Sequence, residues 1–225
     1  MKLSVIMPVY NEEKTVRKIL EKLIKVKEVF EIIIVNDGST DRSLAEIKKV
    51  KDKRIRVFSK GNEGKGSAIR LGLSKAKGDY VLIQDADLEY DPADITSLLK
   101  VVKESKAEVV YGSRFLGPHL NLLFWHRVGN SLLNLVVNLL FNTTLSDMEV
   151  GYKLIPAEIM RDLKLEASGF EIEPEITCKL LKRGYKIFEV PISYVGRDFS
   201  AGKKINWKDG VIALGRIIKE KLKRT

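Results

Sequence analysis

Cysteine is almost absent from this 225-residue chain: Cys178 stands alone. A disulfide framework is thereby excluded. Cys178 falls in an apolar, helix-like run over 176–181 and reads as a small core residue. Histidine is nearly as scarce. His119 and His126 have no Cys or His neighbours at metal-ligand spacing, so they read as structural or surface groups. No Ser-His-Asp or Cys-His arrangement is suggested. The glycine-rich stretch 61–67 lacks the Gly-Lys-Ser/Thr ending of a P-loop and the third glycine of a dinucleotide fingerprint. It can still open a helix whose N-terminus faces an anion, or serve as a plain helix cap. Internal repeats, low-complexity tracts and a clear linker are missing. A secretory leader is not expected, because Met1-Lys2 runs straight into a strand-like segment.

What is present is globular in type. Hydrophobic residues make up 44% and charged residues 31%. The length suits one large domain or two small ones and can bury a sizeable core. Forty Lys/Arg against thirty Asp/Glu leave a net charge of +10. The surplus is concentrated: residues 196–225 carry nine Lys/Arg and three Asp/Glu. That points to an anionic partner such as a membrane surface, nucleic acid or a phosphorylated substrate. No basic stripe interleaved with aromatics accompanies the charge, which argues against nucleic acid.

Apolar runs over 3–7, 31–35, 54–58, 80–83 and 107–111 read as strands. Segments 13–27, 41–50, 64–75 and 92–104 between them read as helices. The alternation implies βαβ units and a mostly parallel sheet. Ligands bind such sheets beyond the carboxyl ends of the strands. Three polar turns fall there: Pro8 to Glu12, Asn36 to Asp41 and Asp85 to Glu89. Asp85-Ala86-Asp87 is the most informative of them. Two carboxylates spaced i, i+2 after a buried strand can converge on one hard cation. Such an ion commonly completes its shell with water and substrate phosphates.

Two later segments read differently. Residues 128–146 carry no charge and approach the length of a membrane span. However, Asn130, Asn134, Asn138 and Asn142 recur every four residues, and unpartnered amides are costly in lipid. Segment 120–145 therefore reads as a core helix or as a helix lying in the membrane interface. Segment 205–224 places Trp207, Val211, Leu214, Ile218 and Leu222 at helical spacing beside six Lys/Arg. It reads as a helix packed on the core with a solvated basic face, or as a basic amphipathic membrane anchor.

The motifs Val5-Ile6-Met7-Pro8-Val9-Tyr10-Asn11-Glu12, Ile34-Val35-Asn36-Asp37-Gly38-Ser39-Thr40-Asp41, Asn62-Glu63-Gly64-Lys65-Gly66 and Asp85-Ala86-Asp87-Leu88-Glu89 resemble those of family-2 glycosyltransferases. Gly112-Ser113-Arg114-Phe115 and the stretch from Glu189 to Lys204 continue the resemblance, which narrows to the dolichyl-phosphate mannose or glucose synthase branch. It implies a single α/β domain of the GT-A fold over 1–225, with a mostly parallel, Rossmann-like sheet flanked by helices. It implies Mg²⁺ or Mn²⁺ as cofactor. It also implies roles. Pro8, Tyr10, Glu12, Val35 and Asp37 would hold the nucleoside. Asp85, Ala86 and Asp87 would line the diphosphate, with Asp85, Asp87 and Glu89 at the metal. Arg114, Arg197 and Lys203 would grip the donor diphosphate and the acceptor phosphate, and Asp87, Arg114 and Arg197 would be the catalytic set. Arg127 would add a weaker phosphate contact. The branch often has Gln where Glu89 stands, and Ser where Gly202 stands.

The expected reaction is inverting transfer of a hexose from a nucleotide sugar, GDP-mannose first and UDP-glucose second, to a polyprenyl or dolichyl phosphate. The enzyme would sit peripherally on the cytoplasmic face of a membrane, and a separate membrane protein is a further partner compatible with that place. Developing diphosphate charge is stabilised by metal and basic side chains. A lipid phosphate is already ionised and needs no general base. A sugar hydroxyl acceptor would need one, and Asp147 or Glu149 could serve. Transfer to a glycan hydroxyl is therefore the rival reading. A non-catalytic nucleotide-sugar or nucleic-acid binding module is the rival from another class.

Overall fold

The computed structural model describes residues 1–105, 107–120, 123–197 and 207–223. Seven strands form one sheet in the order β3-β2-β1-β4-β7-β5-β8. These are β1 (Leu3–Val9), β2 (Val29–Asp37), β3 (Ile55–Lys60), β4 (Tyr80–Ile83), β5 (Val109–Ser113), β7 (Lys153–Pro156) and β8 (Ile187–Pro191). Neighbours pair in parallel except β7, which runs antiparallel to both β4 and β5. The short strands β6 (His119–Leu120) and β9 (Tyr194–Val195) pair in parallel outside this sheet.

The central position of β1 follows from its composition. All its residues except Pro8 are buried, as a strand covered on both faces requires. Helices α1 (Val16–Leu23), α2 (Ser43–Lys49), α3 (Lys65–Lys75) and α4 (Ile95–Ser105) make the crossovers. In α1, Val16, Ile19, Leu20 and Leu23 are buried, one face at helical spacing. The helix begins three residues later than the apolar pattern suggests. Glu12 and Glu13 donate their backbone N–H to Ser43 Oγ and Asp41 Oδ2 at 2.7 and 3.0 Å, which holds the turn out of the helix. The second half adds α5 (Phe124–Phe141), α6 (Ala157–Asp162), α7 (Ile172–Lys182) and α8 (Trp207–Leu222).

No described helix is long and apolar enough to cross a membrane. Helix α5 is shorter than 120–145 and ends at Asn142, whose left-handed φ of 51° closes it. Two of its asparagines face the protein: Asn134 is buried, and both Asn134 and Asn138 bond the loop over 145–148. The apolar residues Phe124, Trp125, Leu132, Leu135 and Leu139 are exposed instead.

Helix α8 reverses the expected orientation of a core-packed helix. Of the expected apolar face, Trp207, Val211, Ile218 and Leu222 are exposed and Leu214 is half-buried against the protein, whereas Ala213, Arg216, Ile217 and Glu220 are buried. Arg216 can turn inward because Glu175 and Glu220 both lie 3.2 Å from its guanidinium. Ala213 and Ile217 join Leu133, Val137, Leu145, Met148 and Cys178 in a small second core.

Candidate active site

Parallel pairing places the ends of β1, β2, β4 and β5 on one edge of the sheet. A cavity of about 380 Å³ opens there, lined by residues from all four ends, within the usual range for a small-ligand site. Pro8 lies at the end of β1, Tyr10 and Glu12 follow it, Asp37 closes β2, Asp85 to Glu89 follow β4, and Arg114 follows β5.

Local geometry is set by a few special residues. Leu88 has φ +65°, rare for a side chain of its size. This bend brings Asp87 and Glu89 together, with Glu89 N–H donating to Asp87 Oδ1 at 3.1 Å. Asp37 holds the wall opposite. Its carboxylate accepts from Lys60 Nζ at 3.0 Å, Glu63 N–H at 3.1 Å and Gly64 N–H at 2.8 Å. Gly64 has φ +97°, and an added Cβ would stand 2.5 Å from the Ser168 carbonyl oxygen, so a side chain cannot replace it cheaply.

Charge is divided between three groups. At the mouth, the Arg197 guanidinium lies 2.8 Å from Asp87, 3.2 Å from Glu12 and 3.6 Å from Glu89. Burial, with Asp85 and Glu89 adding repulsion, raises the Asp87 carboxyl to about 7. At the floor, Lys65 Nζ joins Asp85 at 2.8 Å to Glu173 at 3.1 Å, and Glu173 joins Lys153 at 2.6 Å. Burial opposes the charge on Lys65, but Asp85 and Glu173 outweigh it and hold the amine well above its usual range. On the far wall, Arg114 is held in a two-pronged pair with the fully buried Asp147, at 2.6 and 2.8 Å.

Glu149 lines the same cavity and has an oxygen that is buried without a hydrogen-bond partner. Burial raises its carboxyl to about 7, with Lys153 opposing. Asp147, by contrast, has both oxygens engaged by Arg114, which leaves Glu149 the freer of the two carboxylates.

The structure brings together Pro8, Tyr10, Glu12, Asp37, Asp85, Ala86, Asp87, Glu89, Arg114 and Arg197 in one cavity. Val35 is fully buried in β2, in register with Pro8 and Phe58, and supports the wall from within the sheet. Arg127 is exposed and packs over the Phe115 ring at 5.6 Å. Lys203 lies outside the described residues. Two charged members, and the aromatic rings of Tyr90 and Phe170, escaped the sequence reading. Lys65 stands inside the Asn62 to Gly66 motif but was given no role, and Glu173 stands among apolar neighbours opening α7. A glutamate so flanked needs a buried partner, which is the signal that could have exposed it.

The mouth carries the carboxylates a divalent cation needs, spread around the Arg197 guanidinium and not yet gathered within reach of one ion. Three carboxylates, Glu12, Asp87 and Glu89, already converge on one positive group, the Arg197 guanidinium, whose Nε is buried without a hydrogen-bond partner. An all-oxygen set of this kind matches Mg²⁺ or Mn²⁺.

A mostly parallel sheet with one reversed strand and acidic residues at its carboxyl edge defines an α/β domain of the GT-A class. Solved structures share it. Glucosyl-3-phosphoglycerate synthase from Mycobacterium tuberculosis, in complex with Mn²⁺, uridine diphosphate and phosphoglyceric acid, superposes with a TM-score of 0.78 at 17% identity. It covers 100% of this chain and 80% of that chain. The same enzyme with Mg²⁺ and uridine diphosphate gives 0.76. An uncharacterised protein of Methanocaldococcus jannaschii is 31% identical over 202 residues, 84% of this chain and 86% of its own length. Glycosyltransferase AglJ and the low-salt glycan biosynthesis hexosyltransferase Agl6, both of Haloferax volcanii, are 29% identical, but the match spans only 63% and 49% of their lengths. The family model Glycosyl transferase family 2 matches residues 4–163. The chain belongs to glycosyl transferase family 2.

Proposed function

We propose that this protein is an inverting hexosyltransferase that moves a hexose from a nucleotide sugar to a polyprenyl (dolichyl-type) phosphate at a membrane surface. GDP-mannose is the first donor to test and UDP-glucose the second. The observation that carries the reading is the shared cavity: an acidic mouth for a metal-bound diphosphate beside two arginines, Arg114 and Arg197. Two phosphates repel as they approach, and arginine's planar fork suits phosphate oxygens. A divalent ion, when bound, would neutralise charge developing on the leaving diphosphate. Asp87 and Glu89 would hold it, with Asp85 near the diphosphate. Glu12 and Asp37 would orient the nucleoside. Arg197 would turn from the carboxylates to phosphate. The similarity to the hexosyltransferase Agl6 supports a hexose, and the Mycobacterium synthase structures with UDP-glucose support keeping that donor.

The membrane part of the reading rests on α5 and α8. They pack against one another and present apolar side chains outward: Trp125 is 78% exposed, Leu139 74% and Trp207 75%. Lys208, Lys219, Lys221 and Lys223 lie along α8 and its end, and complement an anionic lipid surface. A cytoplasmic-face location and a recruiting membrane protein belong to the same proposal.

A second reading is favoured by Glu149, whose carboxyl, raised to about 7, is poised as a general base. Transfer to a sugar hydroxyl would use it. A non-catalytic binding module would have no use for the intact Asp85, Asp87 and Glu89 set.

A donor-turnover screen across nucleotide sugars, followed by label transfer, separates these. The expected product is an organic-extractable, mild-acid-labile lipid carrying the labelled sugar. Label passing only to oligosaccharide or peptide acceptors would make the hydroxyl reading correct. Anionic vesicles should sediment the protein at low salt and release it at high salt.

A further inference from the structure

The two sides of α5 face different things. Outward lie Leu132, Leu135 and Leu139, exposed and apolar. Inward lie Asn134 and Asn138, and both grip the same loop. Asn134 Nδ2 donates to the Ser146 carbonyl at 2.6 Å, and its Oδ1 accepts from Met148 N–H at 2.8 Å. Asn138 does the same one turn later: its amide donates to the Leu145 carbonyl, and its oxygen accepts from Leu145 N–H, both at 2.9 Å.

Asp147 lies between the two backbone groups that Asn134 holds. Its carboxylate accepts three hydrogen bonds from Arg114, one from the backbone at 2.9 Å and two from the guanidinium. Two residues on, Glu149 lines the cavity. A side-chain amide that both donates to and accepts from one loop fixes position and rotation together. A shift of α5 is thus passed toward Arg114 through a chain of buried and part-buried hydrogen bonds, working against the hold of Glu189 on Ser146 and Asp147 from β8.

We infer that Asn134 and Asn138 are positioning residues: they tie the lipid-facing helix to the loop over 145–148, so that a membrane against the outer face of α5 sets the placement of Arg114 and Glu149 in the cavity. This rests on the membrane reading above. It adds to that reading that the surface acts on the chemistry as well as holding the enzyme in place. The energy available is the difference in lipid affinity between two placements of α5. An ordinary coupling of this kind is worth about fivefold or more.

The test uses the full chain, vesicles of phosphatidylglycerol and the nucleotide sugar found by the donor screen. Sedimentation, hydrogen exchange of the 143–150 segment and donor turnover are read together. In the unmodified chain, vesicles should slow exchange over 143–150 and raise turnover about fivefold or more. Asn134→Ala and Asn138→Ala should still sediment, but with no vesicle-induced change in exchange and little stimulation. The Asn138 variant serves if the Asn134 variant does not fold. Leu139→Lys should lose sedimentation and stimulation while keeping the turnover measured without vesicles. Sedimentation with unchanged exchange over 143–150 overturns this inference and leaves the membrane reading standing. So does an Asn134→Ala chain that responds as the unmodified one does. Failure to sediment at low salt overturns the membrane reading itself, and this inference with it.

Discussion

The Arg197 guanidinium donates to Asp87 Oδ2 at 2.8 Å, joining residues 110 apart in the sequence. The same guanidinium reaches Glu12. One side chain from beyond the last sheet strand thus neutralises carboxylates that follow β1 and β4. A positive group already sits where the proposed metal and diphosphate would meet.

Arg197→Ala is therefore expected to destabilise the metal-free protein. It removes the guanidinium that Glu12, Asp87 and Glu89 share. Breaking a fully buried pair costs about 3–5 kcal/mol; Arg197 is partly exposed, so about 2 kcal/mol is expected. Thermal unfolding in EDTA should show the loss, and Mn²⁺ should restore most of it. An unfolding temperature equal to the unmodified chain's in EDTA would show the pair contributes nothing. Transfer should fall far more than nucleotide binding.

Metal binding should depend on pH through Asp87. Its carboxyl, raised to about 7 by burial and by Asp85 and Glu89, must release its proton to bind a cation. Apparent Mn²⁺ affinity should level off above pH 7. Below that it should fall by up to about tenfold per unit, equal to ~1.4 kcal/mol. Titration calorimetry at several pH values measures this. Activity should vanish in EDTA and in Asp87→Ala, with the fold intact by circular dichroism. Full activity in EDTA would sink the metal assignment.

Glu149 makes a stability prediction of definite sign. Its folded carboxyl keeps its proton to about 7, against 4.5 for the ordinary group. Protonation therefore favours the fold. That contribution is complete below 4.5 and is lost as pH rises through 7. Glu149→Gln stays neutral throughout. At pH 8 it should be more stable than the unmodified protein, by on the order of 2 kcal/mol. The difference should close in acid. Denaturant melts at pH 4 and pH 8 decide it, and equal stability at pH 8 would refute it.

Gly151 lies against the acidic turn. A Cβ there would stand 2.7 Å from Asp85 Oδ2 and 3.3 Å from the Tyr90 ring. Gly151→Ala must shift the Asp85 carboxylate, whose other oxygen holds Lys65. Overpacking of this kind costs about 1–3 kcal/mol, so the protein should fold. Donor turnover should fall while the unfolding temperature drops only moderately. Turnover equal to the unmodified chain's would mean that Asp85 can move without consequence.

Much of this was legible in the chain. The strand runs over 3–7, 31–35, 54–58 and 80–83 fall inside or beside real strands, because buried parallel strands leave continuous apolar runs. In a parallel sheet every strand's carboxyl end lies on one edge. The polar turns after β1, β2 and β4 were thus bound to converge once the alternation was recognised. The asparagine repeat also carried true information, since Asn134 and Asn138 do need partners.

Other features depended on tertiary structure alone. The reversed strand β7 has no local signature. Its place between β4 and β5 is fixed by partners far along the chain. Lys65 met Glu173 and Asp85 only when α3, α7 and β4 came together. The orientation of α8 was the clearest case. Spacing alone says that Trp207, Val211, Ile218 and Leu222 share a face, and cannot say which way it points. Arg216 settled that, because Glu175 on α7 and Glu220 one turn along offer a buried guanidinium its charge partners. Periodicity is a property of the segment itself, whereas the direction of a face is a comparison of environments that exist only in the folded chain.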